Sequence, residues 1–137
     1  MKKWTKAELL AALQNQGINV ELHGEVILAT MEEHGELPIL ISVGETQIVM
    51  KVDLYPVSMA INSANINEAF LRMNDTLPMS NVSIYDNAEG EAIYALSGQM
   101  AASTIIENIT LELDVLAENA LELHDVAKDG FTTEKQA

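Results

Sequence analysis

The side chains that could do chemistry are few and scattered. His23, His34 and His124 are the only imidazoles, and His34 has the densest surroundings, with Glu32, Glu33 and Glu36 beside it. Zinc needs three or four convergent ligands, commonly His with carboxylate. Glu-Glu-His-Gly-Glu reads as a strand turn that spreads those side chains outward, so a solvated turn is expected and no metal. Cysteine is absent, which removes disulfides, thiolate zinc sites and cysteine nucleophiles. Ser42, Ser58, Ser80, Ser97 and Ser103 show no Gly-x-Ser-x-Gly elbow. There is no Gly-x-Gly-x-x-Gly turn or phosphate loop. Carboxylates are abundant, but an acid–base pair needs a cleft and one raised pKa. Arg72 is the single arginine, so anion clamps are scarce. The expectation is no catalytic residue, no cofactor and no enzyme.

Charge narrows the partners. The 137 residues carry 7 basic and 21 acidic side chains, a net charge of −14. Nucleic-acid phosphates need Lys and Arg, and anionic lipid surfaces attract cations, so neither is an expected partner. From Met73 to Ala127 there are ten acids and no Lys or Arg. That stretch reads as a solvated face, or as a surface that steers a basic partner segment. The start, Met1-Lys2-Lys3-Trp4-Thr5, lacks the apolar run of a signal peptide, and no apolar stretch approaches membrane-spanning length. A cytoplasmic location without membrane insertion is expected.

These groups must sit on elements that the spacing makes readable. Thr5 and Glu8 have capping-box spacing, Trp4 and Leu9 flank them as a hydrophobic staple, and Gly17 suits the residue after the last turn. A helix is predicted over 5–16. Residues 18–54 read as a meander of three or four strands, with turns at His23-Gly24, Glu33–Glu36 and Gly44-Glu45, and Pro56 ends it. Asn65 and Glu68 repeat the cap spacing before a second helix carrying Ile66, Ala69, Phe70 and Met73. Val82–Asp86 and Ala92–Leu96 are two further strands, with Ser97-Gly98 as a strand end. Thr104 and Glu107 are placed to cap a long last helix, which Asp129-Gly130 ends. Its seam, Ile106, Ile109, Leu113, Leu116, Ala120, Leu123 and Ala127, steps by three and four. The fold class is therefore α+β: an antiparallel sheet packed with helices, in the order helix, three or four strands, helix, two strands, long helix. Residues 1–131 are expected to form one domain and 132–137 a frayed tail.

This order resembles the bacterial type III secretion chaperones, most visibly in Asn67-Glu68-Ala69-Phe70-Leu71-Arg72-Met73-Asn74. Leu77-Pro78-Met79-Ser80, Leu96-Ser97-Gly98 and Leu116-Ala117-Glu118-Asn119-Ala120-Leu121 resemble the YjfI-like bacterial family more closely. That resemblance implies a fold and a setting near a relative of the phage-shock membrane-stress protein, and no reaction.

Two features bear on partners. Met50, Met59, Met73, Met79 and Met100 read as core filling, although flexible thioethers also suit surfaces that accept varied apolar segments. Aromatics are only 4%, so an aromatic-rich recognition groove is not expected. Leu111, Val115, Leu121 and Val126 widen the last helix's apolar surface beyond one seam, which points to a homodimer contact. The expected function is a non-enzymatic protein-interaction module, chaperone-like or regulatory, with an unidentified protein partner. The alternative is a small-molecule-binding or enzymatic domain with an unrecognised site.

Overall fold

The structure is a computed structural model, and it describes residues 2–132. Helix α1 spans Lys6–Asn15, and the capping box forms as the spacing predicts: Thr5 accepts from the Glu8 amide, and the Glu8 side chain reaches back to the Thr5 amide. Gly17, at φ 79°, closes the helix, and the Ile18 amide folds back to Leu13 O at 3.1 Å. Strands β1 (Asn19–His23), β2 (Val26–Met31), β3 (Leu37–Val43) and β4 (Gln47–Pro56) follow, so the meander has four strands. The expected turn at 33–36 is a short 3-10 helix, Glu32–His34, closed by left-handed Gly35.

Helix α2 covers Ser63–Met73, β5 Asn81–Asp86, β6 Ala92–Ala101 and α3 Ile106–Ala127. All strands are antiparallel to their neighbours, in the order β1-β2-β3-β4-β6-β5. The chain thus leaves the sheet after β4, runs through α2, adds β5 at the far edge, and returns to insert β6 beside β4. The fold class is as expected: α+β, with helices on one face of the sheet. Ile27, Ala29, Ile39, Ile41, Ile48, Met50, Val52, Tyr94 and Leu96 supply the covered face, and Leu9, Leu13, Ile109, Leu113, Leu116 and Leu123 supply the helices.

The structure corrects three boundaries. Asn62, not Asn65, caps α2, accepting from the Asn65 amide. The proposed Thr104–Glu107 cap does not form: Ile105 is the cap residue without a side-chain bond, while Thr104 O accepts from Trp4 Nε1 at 2.7 Å. Ser97-Gly98 is not a strand end but lies inside β6, which runs on to Ala101 against β4. The chain is still anchored at Thr132, whose amide donates to Met59 O at 2.8 Å; the rest of the expected tail, 133–137, lies outside the described residues.

A register shift between Asp53 and Tyr55 inserts one residue into β4. Such a bulge re-aims the next side chain, and Tyr55 consequently lies opposite Tyr94 on the helix-covered face. Rings then follow one another: His124 and Phe131 stack on Tyr55, and Phe131 and Phe70 meet Tyr94 edge-on. A composition poor in aromatics has gathered most of them at one end of the sheet. No helix among the described residues is long and apolar enough to cross a membrane.

Candidate functional site

The histidines do not converge. His23 is exposed beside Glu21, and His124 stacks on Tyr55. His34 is not the solvated residue the turn suggested: its side chain is 18% exposed and leans toward α3, with Nε2 3.9 Å from Asp114 Oδ1. Glu32, Glu33, His34 and Asp114 share a shallow cleft of about 270 Å³. Among the described residues no three His, Asp or Glu side chains are grouped to hold a metal ion. Ser42 and Ser58 are exposed, Ser80 and Ser103 half-buried, and Ser97 is buried, donating to Asn81 Oδ1 at 3.0 Å. Met50 is in the core, and Met59, Met73 and Met100 pack against it; Met79 alone of the five is exposed.

Two further surfaces lie at the β5 end of the sheet. The first is the groove between α2 and β5. The residues of the helix motif divide its work. Asn67 accepts a short hydrogen bond from Tyr94 Oη, and Phe70 is buried against the Tyr94 ring. Asn74 exchanges two bonds with the Val82 main chain. Leu71 is left 70% exposed, and across the groove Ile84 is 49% exposed. Asn67, Phe70, Leu71, Val82, Ser83, Ile84 and Tyr94 line about 240 Å³ of mainly apolar space. β5 is an edge strand paired only with β6. An edge strand offers main-chain groups for another strand, and the apolar side chains beside it offer places for alternate residues of that strand.

The second surface is a notch where β5 stops short. Asn81 pairs with Ser97, so β6 from Gly98 to Ala101 pairs with β4 alone. Met79, Ser80, Asn81, Gln99 and Glu112 line the notch, about 370 Å³. Three separated sequence segments meet here. Asn119 Nδ2 on α3 donates to Pro78 O at 2.9 Å and to Ser80 Oγ at 2.8 Å, tying the loop before β5 to the helix. Gly98 faces Glu112 one helical face away: a Cβ on residue 98 would collide with Glu112 Oε1 and lie 3.1 Å from Met79 O. Gly98 has no unusual φ, so glycine stands there for space rather than for backbone freedom. Burial pushes the Glu112 carboxyl above its ordinary pKa.

Sequence reasoning missed Glu112 and Asn119, treating acids on this helix as its solvated side. The signal was present. Glu112 lies three residues after Ile109 and four before Leu116, on the buried seam itself, and Asn119 lies one heptad further on.

The comparisons agree with the fold. The chain is 29% identical over 129 residues to the uncharacterized protein YjfI of Escherichia coli K12, covering 92% of this chain and 96% of that one. Among solved structures it is similar to YbjN, a putative transcription regulator from E. coli, with TM-score 0.65, 8% identity, and 87% and 90% of the two chains covered. A chain of the ExsC–ExsE complex is similar at TM-score 0.54 and 13% identity, with 92% of each chain covered, in keeping with the expected secretion-chaperone likeness. An uncharacterized protein from Methanothermobacter thermautotrophicus matches at TM-score 0.56 and 11% identity, over 93% of this chain and all of that one. Residues 3–130 match the family described as "Uncharacterized protein conserved in bacteria (DUF2170)", and the chain belongs to that family.

Proposed function

We propose that this chain is a non-enzymatic, cytoplasmic protein-binding module, and that its α2–β5 groove receives an extended apolar segment of another polypeptide that also carries basic residues. The observation that carries the reading is the pairing of an open strand edge with exposed Leu71 and Ile84 over a floor of Phe70 and Tyr94. A segment laid along β5 gains main-chain hydrogen bonds from the edge and side-chain burial in the groove. Basic residues in it complement the ten acids, unbroken by Lys or Arg, between Met73 and Ala127. The structural likeness to a chain of the ExsC–ExsE complex supports a chaperone-like version. The likeness to YbjN supports a regulatory one, and regulation of a phage-shock-like membrane-stress system is the form the family resemblance favours. Separation of the histidines and absence of a serine elbow support the non-enzymatic part.

A photo-crosslinking residue at position 84 or 71, in the host cell, tests this. Both positions should capture the same polypeptide, and position 42, on the opposite sheet face, should not. Equal capture from position 42, or none from the groove, overturns the reading. Leu111, Val115 and Val126 fall on one outward stripe of α3 by helical spacing, which supports a homodimer through that helix. Light scattering at micromolar concentration should give twice the 15.0 kDa chain mass, and a monomer ends that part.

A further inference from the structure

Glu112 is 6% exposed, yet it receives no hydrogen bond from any described residue. No buried side-chain oxygen or nitrogen among the described residues is left unpartnered, so its carboxyl oxygens open onto the notch. Met79 O, beside it over Gly98, likewise accepts no main-chain or side-chain bond from the described residues. Two strong acceptors therefore converge at the notch with no donor between them among the described residues, the missing Cβ of Gly98 letting the Glu112 carboxyl come down onto the strand. The left-handed backbone of Met79, φ 61°, belongs to the loop that presents that carbonyl, and Asn119 holds the loop in place. An unpaired carboxylate in such a position is costly, and the chain supplies no Lys or Arg from Met73 to Ala127 to relieve it.

From this geometry we infer that the notch is a receptor for a guanidinium group: the arginine side chain of a polypeptide ligand, held by Glu112 and the Met79 carbonyl over Gly98. A planar fork of donors can reach a carboxylate and a neighbouring carbonyl together, which a single ammonium does less well. Burial that raises the pKa of the lone carboxyl is relieved when a cation arrives. The inference rests on the proposed binding of a partner segment and names one of its residues. Asn81 lines the notch and the next residue, Val82, lines the groove, so the two surfaces adjoin along β5, with the Asn74 side chain on the Val82 main chain between them.

The test is an NMR titration of the isolated chain, side-chain labelled at glutamate, with Nα-acetyl-arginine amide and its uncharged citrulline analogue. The arginine probe should shift the Glu112 carboxyl carbon and the Gly98 and Met79 amides saturably, with affinity about tenfold or more above citrulline, and Glu112→Gln should abolish the effect. Equal shifts from both probes, no shift at Glu112, or shifts that persist in a folded Glu112→Gln variant overturn the site. If that variant fails to fold, the comparison of probes on the unaltered chain decides alone. Crosslinking from the groove does not depend on this titration, so failure of the arginine site and failure of the partner reading are told apart.

Discussion

The side-chain amide of Asn74 pairs with the main chain of Val82 in both directions: Oδ1 accepts from the Val82 amide at 2.6 Å, and Nδ2 donates to the Val82 carbonyl at 3.2 Å. A residue just past the end of α2 thus imitates one residue of a neighbouring strand. It satisfies the outward groups of the first buried position in β5 and leaves the rest of that edge open.

Replacing Asn74 by Ala removes both bonds and leaves the Val82 groups half-buried without partners. Unfolding free energy should fall by about 1–2 kcal/mol in urea. Exchange of the Val82 amide hydrogen should accelerate more than that of the β6 amides.

Gly98→Ala drives a methyl into the Glu112 carboxyl and toward Met79 O. The chain should lose about 1–3 kcal/mol of stability, as overpacked positions do. Adding Glu112→Ala should restore part of the loss. A double-mutant cycle in chemical denaturation would read this as a non-additive pair; additive effects would mean that the two residues do not share that space.

Much of the fold was legible because local chemistry and burial agree over it. Thr5 and Glu8 satisfy each other whatever the sheet does, and alternation along Val26–Met31 and Gln47–Val52 is imposed by one covered face. The errors lie where a distant segment decides. Thr104 looks like a cap, but its hydroxyl accepts from the Asn108 side chain and its carbonyl from Trp4, a hundred residues earlier. Gly98 looks like a breaker until Glu112, on another element, is placed over it. The groove was illegible for the same reason: Leu71 and Ile84 come from elements joined only through the topology. The aromatic string depends on one inserted residue in β4, a shift that composition does not record.

Glu112 should also mark the pH dependence of stability. Burial raises its folded pKa above the ordinary carboxylate value of 4.5, so the folded state holds that proton more tightly than the unfolded chain. Its stabilising contribution is complete below 4.5 and is lost as pH rises through the folded value. Glu112→Gln, a neutral mimic, should therefore melt at a higher temperature than the unaltered chain at pH 7. The two should converge in acid. Calorimetry across pH 3.5 to 7.5, a range chosen to bracket the carboxylate titration, measures this as two curves that coincide at the low end and separate as pH rises.

On the uncovered face, Tyr85 reaches across β6 and donates to Asp53 Oδ1 at 2.6 Å, with Lys51 Nζ 3.8 Å from its ring centre. Burial first, and the Asp53 carboxylate second, push its pKa up to about 12. The proton is held more tightly folded than unfolded, so the contribution is complete below 10.0 and disappears as pH climbs through about 12. Ultraviolet titration should show delayed tyrosinate formation in the folded chain. Asp53→Asn should bring part of it forward.

The placement of β6 between β4 and β5 has a consequence for the nascent chain. The first four strands emerge from the ribosome with Ile27, Ile39, Ile41, Ile48 and Met50 bare. The strand that flanks β4, and the long helix that roofs it, are translated last. At about 5–20 residues per second, that wait is on the order of ten seconds. During it the growing polypeptide is itself a client for whatever shields greasy surfaces near the exit tunnel.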